Sequence, residues 1–173
     1  MKAFLSSVKF LFKCGQIYSY FTINIKILEV PEIPPWADGE EEINMLTHFI
    51  AAILAFFSIF ILVNRAKKFH DPYRMIGYSI FGGSCLTMFS ISTIYHALSY
   101  SYIKRIFRVI DHVSIYIYIL GCYMPFTMTI LRQTKGKLIT IIECSIGLFG
   151  MSMKILFFDA FDQYSMFLYF LMG

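Results

Sequence analysis

The stretch Ile43–Val63, INMLTHFIAAILAFFSIFILV, runs for 21 residues with one imidazole and no formal charge. A helix rises about 1.5 Å per residue, so roughly 20 apolar residues cross the ~30 Å of bilayer hydrocarbon. Three more runs of that kind follow it. Met75–Leu98 is 24 residues long and carries only His96, while Val109–Leu131 carries Asp111 and His112 near its start. Leu138–Phe158 carries Glu143 and Lys154. A backbone in lipid must satisfy its own hydrogen bonds, which leaves helices or closed barrels, and these runs are too long for barrel strands. The expected fold is therefore an all-α integral membrane protein. It is a multi-pass antiparallel bundle with four full transmembrane helices near 43–63, 75–98, 109–131 and 138–158.

Composition agrees with that class. Of 173 residues, 58% are hydrophobic and only 15% charged, and the charges gather between the apolar runs. A soluble domain would instead spread charge over its surface. The net charge of +4 is shared between both faces of the bundle. It points to anionic lipid headgroups as partners and not to nucleic acid, because no basic helix interleaves with base-stacking aromatics. The sequence specifies no protein partner.

The breaks between runs are short and basic. Arg65, Lys67, Lys68 and Arg74 fall in the first, Lys104, Arg105 and Arg108 in the second, and Arg132, Lys135 and Lys137 in the third. Counted near the helix ends, the excess leans towards an N-terminus on the outside. A fifth apolar run, Tyr164–Gly173, has ten residues and would reach about halfway across the hydrocarbon. It reads as the start of a fifth helix in a chain that continues, with an interfacial or re-entrant tail as the alternative. Residues 1–39 read as a separate tail. Lys2, Lys9, Lys13 and Lys26 interrupt its apolar stretches, which argues against a secretory signal, and its aromatic residues suit an interface. Pro31, Pro34 and Pro35 break the chain there, and Trp36 suits an interfacial anchor. The four cysteines show no disulfide or metal spacing and read as packing residues. Pro125 is expected to kink its helix, with Thr127 and Thr129 available to freed carbonyls.

The polar side chains carry the chemistry. An ionisable group in a membrane helix costs on the order of 3 kcal/mol at the helix centre, so it needs a role. Successive spans alternate in direction. The start of the first, the end of the second and the start of the third therefore share one leaflet. Glu41, Glu42, Asn44, His48, Ser92, His96, Asp111 and His112 all fall in that leaflet. Ser92 and His96 are four residues apart and share a helix face. A neutral imidazole is a good metal ligand, and a carboxylate can orient it or hold a bound water. Ser92, His96 and Asp111 are thus expected to meet in one polar pocket, with His48 and Asn44 near it. Structural roles remain open: Glu41, Glu42 and Asp111 could each favour a helix N-terminus, and the other histidines could be interfacial. Lys154 is expected to snorkel towards the headgroups.

At these residues the chain resembles a known family. Glu41-Glu42-Ile-Asn44-x-x-Thr47-His48, Ser92-x-x-Tyr95-His96-Ala97 and Arg108-Val-Ile-Asp111-His112-x-Ser114-Ile115-Tyr116 are similar to three motifs of the hemolysin III proteins, which belong with the progestin and adipoQ receptors. Asp71-Pro72-Tyr73-Arg74, Gly121-x-Tyr123-x-Pro125-Phe126 and Lys154-x-x-Phe157-Phe158 match in order, so the resemblance covers about residues 40–173 and not the tail. It implies a seven-helix fold, of which this chain holds part, with the N-terminus in the cytosol and a zinc site near the cytoplasmic face. By resemblance, His96 is one zinc ligand, Asp111 holds the metal-bound water and Ser92 lies beside the site. Two further histidine ligands are expected from a His-x-x-x-His pair that this sequence does not contain. The implied activity is a zinc-dependent membrane hydrolase or receptor acting on a lipid amide. The alternatives are a pore-forming cytolysin and a non-catalytic membrane fragment.

Overall fold

The computed structural model describes residues 39–99 and 101–173. The interfacial tail, Trp36 and Cys14 lie outside the described residues. Five α-helices follow one another: α1 (Glu40–Lys67), α2 (Pro72–Ala97), α3 (Tyr102–Pro125), α4 (Gly136–Leu156) and α5 (Phe158–Met172). The last turn of α3 widens into a π-helical segment, Phe126–Ile130. Four stretches, α1, α2, α3 with its π segment, and α4, are long and apolar enough to cross a membrane.

Local chemistry sets the boundaries. α2 opens on Asp71, whose carboxylate accepts the Tyr73 N–H at 3.0 Å, with Pro72 in the first turn. α3 opens on Ser101, which accepts the Lys104 N–H at 3.3 Å. This places Lys104 and Arg105 inside the first turn of α3, where both are buried, and not in a solvated loop. At the other end of α3, Thr127 donates to the Tyr123 carbonyl at 3.1 Å and Thr129 to that of Pro125. These are the hydroxyl contacts expected where a proline disturbs a membrane helix. α5 begins at Phe158, six residues before the expected start near Tyr164. Asp159 and Asp162 read as a polar break in sequence, but Asp162 turns back onto α4 and pairs with Lys154.

Neighbouring helices pack in chain order, and α5 also returns to α3. The inside is more polar than the outside. Ser84, Ser92, Asp111, Ser114, Glu143 and Lys154 are buried, while Phe56, Phe57, Phe60 and Phe170 are exposed. That inversion suits a surface bathed in acyl chains. Small residues let the helices approach. A Cβ on Gly121 would overlap Ser84 of α2, and one on Gly150 would enter the ring of Tyr116 on α3. Gly150→Leu is therefore expected to lower the stability of the bundle in mild detergent by about 1–3 kcal/mol, read from denaturant unfolding. Gly83, whose Cβ would meet nothing within 4 Å, provides the contrast. Gly83→Ala is expected to be neutral or to gain up to about 1 kcal/mol from helix propensity. Equal losses at both positions would remove close packing as the explanation.

Candidate functional site

Three helix ends bring one polar cluster together. α1 supplies Glu41 and His48 from its first turns, α2 supplies Ser92 and His96 from its last two, and α3 supplies Lys104 and Asp111. Nδ1 of His96 lies 2.7 Å from Oε2 of Glu41, and the other oxygen of that carboxylate accepts from Nζ of Lys104 at 3.0 Å. A carboxylate only accepts, so Nδ1 of His96 carries its hydrogen and, in the neutral ring, Nε2 presents a lone pair. Nδ1 of His48 lies 2.7 Å from Oγ of Ser92, and Ser92 also meets the Asp111 carboxyl. The two imidazole rings stand edge to face with centroids 5.6 Å apart.

The surroundings hold these groups in place. Asp111 is 9% exposed and Ser92 2%. Ser114 donates to the Asp111 carbonyl at 2.6 Å. Tyr95 is buried beside the His96 ring, and Nζ of Lys104 sits 5.3 Å from the Tyr95 ring centre. α3 begins at Tyr102, so Asp111 lies more than two turns inside it. An N-terminal dipole acts within the first turn, so the structural role left open for Asp111 does not apply. Glu41 does sit in the first turn of α1. Its two contacts to other helices are additional to that position.

The family model described as "Haemolysin-III related" matches residues 38–173. This chain belongs to the haemolysin-III-related family. It is a multi-pass membrane protein of that family. Two curated proteins similar to it are the "Hemolysin-3 homolog" of Bacillus subtilis (strain 168), 34% identical over 134 residues, and the "Hemolysin-3" of Bacillus cereus, 31% identical over 134 residues. The alignments cover 78% of this chain in both cases, and 63% and 61% of those proteins. The chain thus spans a little over three fifths of the length of the curated relatives it matches. No solved structure matches it significantly.

In this haemolysin-III-related chain Ser92 meets His48 and lies beside Asp111, and His96 stands next to them through the His48 ring. His112 is not among them. Its Nδ1–H donates to the Arg108 carbonyl at 2.8 Å, and its Nε2 faces Asp162 at 3.8 Å on the α5 side. Thr47 is spent on the carbonyls of Ile43 and Asn44 in its own helix. Sequence reading places Glu41 in the shared leaflet, with a helix-end role as the alternative, and Lys104 in a basic break between spans. The pairing of an acid with a histidine 55 residues on is invisible until the helix ends are aligned. One available signal was that the first three helices bring Glu41, His96 and Lys104 to the same level. Lys154 also departs from expectation. It does not snorkel: it is fully buried, pairs with Asp162 and lies 4.2 Å from the Phe158 ring centre.

The residues present do not make a zinc site by themselves. A catalytic zinc ordinarily takes three protein ligands and a water. Among the described residues no three His, Cys, Asp or Glu side chains converge as a metal-binding group. His96, with Nδ1 tied to a carboxylate, has the form of a single ligand backed by its usual partner.

Proposed function

We propose that this haemolysin-III-related chain contributes one wall of a hydrolytic site for an amide-linked lipid, set within one leaflet. The observation that supports it is the double chain His48–Ser92–Asp111 and His96–Glu41–Lys104. Two part-buried polar clusters lie side by side in an apolar bundle, their His48 and His96 rings 5.6 Å apart, and such groups are retained in membranes mainly for function. In this reading Asp111 takes the proton of an attacking water, Ser92 fixes its carboxyl, and His48 supports Ser92. His96 is one donor towards a zinc ion whose remaining donors come from residues other than those described. Such an ion would acidify a bound water and polarise the amide carbonyl. A second reading, a cytolysin, has its support in the names of the two Bacillus relatives.

One set of measurements separates them. The chain is purified alone and fused to a helix bearing His-x-x-x-His, each with His96 or His96→Ala. Zinc content, release of a fluorescent acyl chain from an N-acyl sphingosine, and dye release from vesicles are read on all four. The expected result is well under one zinc in the chain alone and near one in the fusion. Hydrolysis should follow the zinc, and both should be lost with His96→Ala. Full dye release by the His96→Ala proteins, with no amide cleavage by the parents, would retire the hydrolase in favour of the cytolysin.

A further inference from the structure

The opposite end of the bundle, away from the polar cluster, carries its own concentration of charge. There the ends of α1 and α3 meet the starts of α2 and α4. Seven basic side chains lie at this end between Arg65 and Lys137, against a single carboxylate, Asp71. A cavity of about 570 Å³ opens between the start of α2, the π-helical end of α3 and the start of α4. Its lining combines the polar Tyr73, Arg132, Gln133 and Lys137 with half-buried Met124 and Met128 and the exposed Ile141. A volume of this size is that of a ligand pocket, partly polar and partly apolar.

Three observations fix what these polar side chains would take. The guanidinium of Arg132 is stacked 3.4 Å from the centre of the Tyr73 ring, which holds it at the rim. Lys137 is exposed and has no ion pair among the described residues. Asp71 is the one carboxylate nearby. Its Oδ1 is already shared between the Tyr73 N–H at 3.0 Å and Arg132 at 3.6 Å, so it offsets part of one of the two cations. α4 also begins without a side-chain cap. Its first-turn N–H groups at Lys137 and Leu138 therefore add to the positive field at the same place. The π segment supports the geometry, since such segments widen a helix and recur at functional sites.

We propose that this cavity binds an anionic phospholipid, with the phosphate between Arg132 and Lys137 and an acyl chain along Met124, Met128 and Ile141. The amphipathic rim residue Tyr73, 41% exposed, sits at the headgroup level where such rings concentrate. The shared chemistry is a phosphate monoanion, and the acyl lining distinguishes a lipid from a free phosphate.

The test uses the purified chain in uncharged detergent, with bound lipid counted by native mass spectrometry. Phosphatidylglycerol, phosphatidylcholine, glycerol 3-phosphate and inorganic phosphate are added in turn. The expected result is one phosphatidylglycerol per chain, retained in preference to phosphatidylcholine, and no retention of the two water-soluble phosphates. Lys137→Gln should weaken retention about fivefold, the effect of about 1 kcal/mol per cation at a lipid surface. Arg132→Gln with Lys137→Gln should weaken it further. Lys68→Gln, on the same face but outside the cavity lining, should leave it unchanged. Equal loss in Lys68→Gln would mean a diffuse charged surface and overturn the site. Retention of inorganic phosphate as tight as that of the lipid, or no preference over phosphatidylcholine, would overturn the lipid. Unchanged melting of Lys137→Gln separates lost binding from lost fold.

Discussion

Asp111→Asn is expected to slow amide hydrolysis by about 10²–10⁴-fold in a form of the protein that turns over an N-acyl sphingosine, the range for losing a positioned general base. Asn has the shape of Asp, so it fills the same buried space and can still meet Ser92. It cannot take a proton from water. The fold, the contact of His48 with Ser92 and the Glu41 hold on His96 should all survive, because none of them needs a charge at position 111. The expected signature is a fall in kcat with zinc content and melting unchanged. A protein that loses zinc or unfolds in step with activity would show that Asp111 is a ligand or a structural group instead. Loss of activity equal to that of Glu41→Gln, with the same loss of zinc, would say the same.

Much of that cluster was legible in the sequence. The span lengths placed the start of the first helix, the end of the second and the start of the third in one leaflet. The four-residue spacing of Ser92 and His96 put them on one face. What could not be read was rotation. Asp111 and His112 are adjacent, so their side chains leave α3 about 100° apart. Periodicity alone does not say which faces α2 and which faces α5. In the structure Asp111 faces Ser92, and His112 faces Asp162. The acid at 162 was hidden for a related reason. A charge near an apolar run reads as a break unless its partner is known, and Lys154 is the partner of Asp162.

Asp162→Asn is expected to destabilise the bundle by about 3 kcal/mol, near the low end for breaking a buried ion pair. Lys154 is fully buried, whereas the Asp162 side chain is 45% exposed, which keeps the cost from the upper end. The damage comes from leaving the Lys154 ammonium without its counter-ion beside the Phe158 ring. Lys154→Met together with Asp162→Asn removes the orphaned charge and should recover most of the loss. The pair also sets a pH dependence. Burial alone would push the Asp162 carboxyl up, but the Lys154 ammonium, with His112 and Arg108 beyond it, outweighs burial and holds it below the usual carboxylate range. A carboxyl depressed in the folded state contributes stability above its ordinary titration range and loses it as pH falls towards the lowered value. Melting of the parent in detergent should therefore drop on acidification below about pH 4, and the double variant should lack that component. A single variant as stable as the parent, or an acid response that persists in the double variant, would remove the pair from the account.

The two buried ionisable residues of α4, Glu143 and Lys154, share a side with its glycines. Gly136, Glu143, Gly147, Gly150 and Lys154 are its buried positions, and Oε2 of Glu143 has no hydrogen-bond partner among the described residues. Alone in lipid, α4 would present a carboxyl and an ammonium to acyl chains, at up to about 3 kcal/mol each near the bilayer centre. Against α3 it presents neither. α3 leaves the ribosome first, so the surface that shelters Glu143 already exists when α4 reaches the bilayer. Lys154 follows, and its counter-ion is made only eight residues later, at the start of α5. Membrane entry of α4 is therefore a step taken with its neighbours, and the order of synthesis supplies them in the sequence that the charges require.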